Sequence, residues 1–255
     1  MSIFHAFVLG IVEGLTEFLP ISSTGHLILA SRLLHLPETE FLKTFEISIQ
    51  LGAILAVVLL YWRMLFLDIE VMKRIALAFV PTAVIGALAY KTIKMLLGSE
   101  TVVLWALLAG GVAIIAFELW HKEKDDAFAE VAKLPYRTTF LIGLFQSVAM
   151  IPGVSRSGAT ILSGLFLGVG RRAIVEFSFL LAVPTMAAAT TLDLLKHASE
   201  FSPDQFGMLA TGFVMAFLVA LAAIRFLLRF VQTRTFIPFG VYRIVLASLF
   251  FLLAL

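Results

Sequence analysis

Four charge-free apolar stretches, residues 47–61, 102–117, 177–191 and 213–223, limit this chain more than any other feature. With their flanks they approach the ~20 residues that carry a helix across a bilayer. They are too continuous for the alternating pattern of a membrane β-barrel. Of the 255 residues, 61% are hydrophobic and 14% charged, against about 45–50% and about 25% in soluble domains. The chain therefore reads as an all-α polytopic membrane protein. A basic leader is missing and two glutamates and a proline interrupt the first apolar stretch, so a cleavable signal peptide is not expected. The sequence has no cysteine, which removes thiolate chemistry and cysteine metal sites. Its basic residues are scattered through short loops, so nucleic acid is not an expected partner.

A shift of 133 residues lays "EGLTEFLPISSTGH" (13–26) near "GLFQSVAMIPGVSRSGAT" (143–160). Gly10 falls on Gly143, Glu13 on Gln146, Ser22 on Ser155, Thr24 on Ser157 and Gly25 on Gly158, while Pro20 and Pro152 miss by one position. The order and spacing of these matches indicate a duplicated chain. In each copy a proline and small polar residues break an apolar segment into two pieces too short to span. Such backbone is tolerated at membrane depth only where protein or a watery cavity satisfies it, so each copy is expected to begin with a re-entrant helical hairpin. Three spans follow each one, at about 45–62, 75–90 and 102–119, then 173–192, 207–228 and 239–255. An odd number of spans per copy turns the second copy upside down, giving an inverted-topology repeat whose two broken hairpins meet near the midplane. The expected organisation is a first repeat over 1–120 (hairpin about 5–35), a charged connecting loop over 121–138, and an inverted second repeat over 139–255 (hairpin about 139–167). The connecting loop reads as a solvated linker.

The chemistry lies in the broken hairpins. Glu13 and Glu17 share one helix face and repel each other. At membrane depth such a pair needs a proton, a cation or a basic neighbour. Carboxylates suit Mg²⁺ or Ca²⁺, and Mg²⁺ pairs one or two of them with substrate phosphate oxygens. Snorkelling of the pair to an interface is the structural alternative. After Pro20, Ser22, Ser23 and Thr24 open a new helical piece; such starts bind phosphate, although plain helix capping would use the same residues. Ser23 can be a nucleophile with His26 as its base, or His26 can activate water. In the second hairpin Arg156 stands between Ser155 and Ser157, with Thr160 one turn on, and its planar fork matches phosphate oxygens. A structural salt bridge from Arg156 to Glu13 or Glu17 is the alternative, and it too would join the hairpins. Glu46 and Glu176 recur near span starts and read as helix-end or inter-repeat hydrogen bonding.

At these two motifs the sequence resembles the undecaprenyl-diphosphate phosphatase family, also called bacitracin-resistance proteins, and length and helical layout agree over essentially the whole chain. The resemblance implies an integral hydrolase of the bacterial inner membrane that removes the terminal phosphate of undecaprenyl diphosphate, regenerating the carrier lipid for peptidoglycan precursors. It implies Mg²⁺ or Ca²⁺ dependence and carries functional roles onto Glu13, Glu17, Ser23, His26 and Arg156. On this reading Glu13 and Glu17 are the metal ligands. Ser23, His26, Glu17 and Arg156 are catalytic, and Arg156, Ser22, Thr24, Ser155, Ser157 and Thr160 bind the substrate phosphates. The partners are a polyprenyl diphosphate and the bilayer, and two copies could pair as a homodimer. The rival class is an inverted-repeat transporter or lipid flippase, which would not need a nucleophile beside a base.

Counting charges sets the sidedness. In the six-span layout one face carries five basic residues (Arg32, Lys43, Lys91, Lys94, Lys196) and the other twelve, including those of the 120–138 loop. The basic-rich face should be cytoplasmic, which puts both termini and the 193–206 loop in the periplasm. A cysteine replacing Ser199 should then react with a membrane-impermeant maleimide once the outer membrane is permeabilised. One replacing Ala127 should react only after the inner membrane is opened. The opposite pattern overturns the orientation, and equal labelling at both sites in sealed cells overturns the span count.

Overall fold

A computed structural model describes residues 1–96, 99–122, 127–197 and 205–254. Its elements among these residues are α1 (Ile3–Thr16), α2 (Ser23–Leu33), α3 (Glu40–Phe66), α4 (Ile69–Leu88), α5 (Tyr90–Leu96), α6 (Glu100–Trp120), α7 (Tyr136–Gln146), α8 (Arg156–Phe166), α9 (Arg171–His197), α10 (Phe206–Phe230) and α11 (Ile237–Ala254). The described chain is helical, without a named strand. At both polar breaks the chain forms a pair of short helices, α1–α2 and α7–α8, the second with a short helical turn at Ser147–Met150 between its arms.

Caps, rather than the apolar run, decide where the long helices begin. Thr39 accepts from the Leu42 amide at 3.1 Å, so α3 starts at Glu40 and not near residue 45. Asp68 accepts from the amides of Glu70 and Val71 at 3.0 and 3.1 Å, which starts α4 at Ile69 rather than 75. Side-chain caps of this kind supply acceptors for amides that have no partner in the first turn. The short helix α5 was not expected. Five helices (α3, α4, α6, α9 and α10) are long and apolar enough to cross a membrane; α11, expected as a sixth span over 239–255, is an apolar helix shorter than these.

The connecting loop departs from a simple solvated linker. Residues 123–126 lie outside the described part, but beyond them Phe128 exchanges backbone hydrogen bonds with Gly168 and Gly170 at 3.1 and 3.0 Å. Val131 and Leu134 are buried, and Arg74 donates from Nε to the Leu134 carbonyl at 2.6 Å. Charge content alone hid this packing, because the two apolar anchors sit between lysines and glutamates. In the 193–206 segment α9 continues to His197, and residues 198–204 lie outside the described part.

The helices expose apolar side chains on their outer faces, among them Leu59, Trp62, Val84, Trp105, Val112 and Leu218. Apolar faces of this extent belong against lipid. The spanning window of α9 is 61% buried, against 28–39% for the other four, so α9 is the central helix. It packs on α3 and α8, while α1 lies along α10, α4 along α7 and α6 along α11. Without a hydrophobic force between helices in lipid, such pairs close through small residues. A side chain on Gly10 would meet the Gly212 carbonyl at 2.5 Å, and one on Gly143 the Ala78 carbonyl at 1.9 Å. Threonine completes the second contact: Thr82 donates to the Gly143 carbonyl at 2.9 Å. Glu46 accepts from Ser31 of α2 at 2.9 Å and Glu176 from Arg172 of its own helix at 3.1 Å; both bonds sit near helix starts, and neither joins the two repeats.

Gly143→Ala should therefore force α7 off α4 and cost about 1–3 kcal/mol. Gly207→Ala, where a methyl would meet nothing within 4 Å, should leave stability unchanged. Thermal unfolding of the two variants in detergent checks this, and equal midpoints would remove the close contact from the account.

Candidate active site

Helix α1 ends at Thr16, and the chain turns through Glu17–Ile21 before α2 begins at Ser23. The second hairpin repeats the turn geometry. Ser22 and Ser155 precede their helices with φ of 69° each, a left-handed conformation that is uncommon outside glycine. Ser155 uses its hydroxyl as a cap, accepting from the Gly158 amide at 3.1 Å. Ser22, for which capping was the alternative, makes no side-chain cap bond.

The two turns meet. Ser157 donates across to the Phe18 carbonyl at 2.7 Å. Arg156 reaches Glu17 Oε1 from Nη2 at 2.9 Å and the Ser178 carbonyl of α9 from Nη1 at 2.8 Å, with its guanidinium 5.7 Å from the Phe18 ring centre. The other Glu17 oxygen, Oε2, accepts from the Ser23 hydroxyl. One line of contacts thus joins Ser23, Glu17 and Arg156 across the two hairpins. The expected bridge from Arg156 to an acid is present, and the acid is Glu17.

Glu13 behaves differently. It is wholly buried, and neither carboxylate oxygen has a donor; the Glu17 carboxylate is its charged neighbour. Arg156 Nε is likewise buried without a partner. Among the described residues these are the buried side-chain nitrogen and oxygen atoms left unsatisfied. Buried orphans are costly, and native proteins keep few of them. A ligand that brings a cation to the Glu13 oxygens and an acceptor to Arg156 Nε would satisfy them.

Two expected roles change. His26 was paired with Ser23 as its base, but its ring is engaged elsewhere: Nδ1 lies 2.7 Å from the Ser22 carbonyl and Nε2 lies 2.7 Å from the Tyr242 hydroxyl. A carbonyl only accepts, so Nδ1 carries a proton and donates to it. The rings stack 5.5 Å apart and nearly parallel. The group on the Ser23 hydroxyl is Glu17, because the turn through Pro20 brings the end of α1 back over the start of α2. Thr160 is fully buried and donates to Gln146 and to the Arg156 carbonyl at 2.9 and 2.8 Å. Thr160 thus joins α8 to α7 within the second hairpin, and Ser157 ties that hairpin to the first. Thr24 is half-buried and stands outside this network.

Sequence reasoning expected a helix here but missed what Tyr242 and Arg243 of α11 do. Arg243 is 1% exposed and donates to five carbonyls: Leu107 and Ala106 of α6 at 3.2 and 2.9 Å, Pro20 of the first turn at 3.3 Å, and Gly153 and Val154 of the second at 2.9 and 3.2 Å. Gly110 makes room, since a methyl there would stand 2.2 Å from Arg243 Nη2. The signal was available. Of 19 lysines and arginines, the two faces accounted for seventeen, leaving Arg156 and an arginine in the middle of the last apolar helix. An ionisable residue at that depth marks a site or its support.

Comparison with known proteins agrees with the motif resemblance. Residues 6–249 match the family model described as "Bacitracin resistance protein BacA". Proteins named undecaprenyl-diphosphatase are similar along the whole chain. The one from Sulfurihydrogenibium sp. is 54% identical over 252 residues, covering 99% of each chain. That from Persephonella marina is 51% identical over 255 residues, covering 100% of each, and that from Aquifex aeolicus is 49% identical over 251, covering 98% of each.

Arg243→Gln removes the donors that both turns share. Each carbonyl left dry should cost about 1–3 kcal/mol, so the thermal midpoint should fall by roughly 5 °C or more. Arg243→Lys, a point charge without the planar fork, should recover only part of the loss. An unchanged midpoint in the glutamine variant would show that the turns hold without it.

Proposed function

The chain belongs to the bacitracin resistance protein family, and on that premise we propose that it is an integral membrane phosphatase. It hydrolyses undecaprenyl diphosphate to undecaprenyl phosphate and inorganic phosphate, recycling the carrier lipid of peptidoglycan synthesis. The observation that carries this reading is the line Ser23–Glu17–Arg156, in which a hydroxyl, a proton acceptor and a phosphate-binding fork stand in contact.

The chain's own residues divide the work. The unpartnered Nε edge of Arg156 takes an oxygen of the diphosphate, and the amides that open α2 face the same turn. Ser23 attacks the terminal phosphorus, its proton passing to Glu17 Oε2. The bond from that phosphorus to the bridging oxygen breaks, and undecaprenyl phosphate leaves with the electron pair. Water then displaces the serine oxygen from phosphorus, releasing inorganic phosphate and returning the proton to Ser23. Positioning and charge stabilisation are the main tasks in such transfers. His26, fixed between the Ser22 carbonyl and Tyr242, holds the Ser22–Ser23 turn in place.

The site fits a divalent cation. Glu13 offers two oxygens without a donor and Glu17 lies beside it. Among the described residues no group of three or more acids or histidines could hold a metal, so substrate phosphate oxygens and water would complete the shell, the usual pattern for Mg²⁺. A bound cation would supply charge neutralisation on the diphosphate.

The architecture belongs to the same proposal. The two halves form an inverted repeat, each a re-entrant hairpin with three spans, and the termini lie in the periplasm. What supports the repeat is the exchange of partners: α1 packs along α10, the second long helix after the second hairpin, and α7 along α4, the second long helix after the first. The shared φ at Ser22 and Ser155 adds to it.

Purified protein should release phosphate from a prenyl diphosphate, and a chelator should stop it. Glu17→Gln should lower turnover by about 10²-fold or more, Ser23→Ala should abolish it, and Arg156→Lys should fail nearly as badly as Arg156→Ala. His26→Ala should be milder than Ser23→Ala and resemble Tyr242→Phe. Substantial turnover in Ser23→Ala would transfer attack to water. Intact prenyl diphosphate moved across a vesicle bilayer, with no phosphate released, would replace the enzyme with a flippase.

A further inference from the structure

Residues 206–224 of α10 carry no charge. At 1.5 Å per residue they cover about 28 Å, close to the roughly 30 Å of hydrocarbon in a bilayer. Arg225 therefore stands where acyl chains give way to headgroups, and Arg229 lies one turn further out. The chain then turns at 231–233, and the Arg234 amide bonds back to the Phe230 carbonyl at 3.0 Å. Arg225, Arg229 and Arg234 consequently line one shallow surface groove, with Phe226, Phe230 and Thr233 between them.

Some cations of the basic-rich face are answered by a carboxylate; others, such as Arg63 and Arg137, have none among the described residues, and of the unanswered ones these three arginines share one groove. Lys73 and Arg74 pair with Glu70, Lys133 with Glu130, Arg171 with Glu118 and Arg172 with Glu176. Among the described residues no carboxylate pairs with Arg225, Arg229 or Arg234. The helix dipole accounts for a cation in the last turn of α10, where Arg229 sits, but its effect fades within that turn. Arg225 lies deeper, and Arg234 is past the helix end.

We propose that this groove binds the headgroup of an anionic phospholipid of the surrounding membrane. The phosphodiester is held by the arginine forks, and an acyl chain lies on Phe226 and Ala222. Three cations without acids give the charge complementarity, and the neighbouring phenyl rings continue into the apolar belt of α10. The face is the one that charge counting assigns to the cytoplasm, where arginines beside a spanning helix attract anionic lipid. None of these residues belongs to the Ser23–Glu17–Arg156 line, so the proposal does not depend on the reaction.

The test uses the full chain in a neutral detergent. Thermal unfolding is followed while short-chain phosphatidylglycerol, phosphatidylcholine or inorganic phosphate is added. Phosphatidylglycerol should raise the midpoint saturably, and the other two should not. In a variant carrying Arg225→Gln, Arg229→Gln and Arg234→Gln the apparent affinity should weaken by about tenfold or more, and the corresponding three lysine substitutions, which keep the charge but lose the fork, should fall between the two. Equal stabilisation by phosphatidylcholine, or an undiminished response in the glutamine variant, overturns the site. A midpoint raised as much by inorganic phosphate overturns the lipid assignment. Should the glutamine variant fail to accumulate, Arg225→Gln and Arg229→Gln are measured singly, and an unchanged response in both overturns the proposal.

Discussion

The buried guanidinium of Arg243 makes the two broken turns possible together. Interrupting a helix at membrane depth frees carbonyls that water cannot reach, and an unpaired one is costly there. Arg243 comes from a third element, α11, and donates to carbonyls of the first turn, the second turn and α6 at once. Its own charge rests on carbonyl dipoles, without a carboxylate among these partners. A planar fork with several fixed donors can serve acceptors in several directions, which an ammonium on a flexible stem does less well. Gly110 is part of the same device, because any side chain there would occupy the space of the fork.

With the turns fixed by Arg243 and by the bond from Ser157 to Phe18, the polar groups between them can be left incomplete. Arg156 spends one nitrogen on Glu17 and another on Ser178, yet its Nε stays free; Glu13 stays free on both oxygens. A network built for stability alone would pair these groups with each other or replace them with apolar side chains of similar volume. Folding energy from the surrounding helices holds them apart. The lipid-facing groove on α10 shows the same logic on the surface, where unanswered arginines wait for a phosphate that the chain does not carry.

Much of this was legible before any coordinates. The apolar runs located the long helices because burial in lipid needs length and hydrophobicity, and both are properties of sequence. Proline followed by serine and glycine located the breaks. Helix starts were misplaced because a cap such as Thr39 or Asp68 lies outside the apolar run it begins. The contact on Ser23 was not foreseen for a related reason: three residues apart in sequence says little about direction, and only the path through Pro20 brings Glu17 onto the serine hydroxyl. Tyr242 and Arg243 could not be placed because their partners are more than 200 residues away at His26 and Pro20, although the arginine itself was a visible anomaly.

The matched positions Glu13 and Gln146 show what became of each hairpin. Gln146 is buried with both ends of its amide used: it donates to Thr82 at 3.2 Å and accepts from Thr160 at 2.9 Å. A neutral amide can do this because it carries a donor and an acceptor, and the bonds lock α7 to α4 and α8. An ionised Glu13 can only accept, and no donor is supplied. The same location in the hairpin is therefore a fastener in one copy and an open valence in the other. That asymmetry explains why the second turn can hold a cation rigidly while the first keeps its carboxylates available. Making the two positions alike would leave the site with two amide fasteners or with two buried carboxyls, and in neither case would one hairpin stay locked while the other stays open.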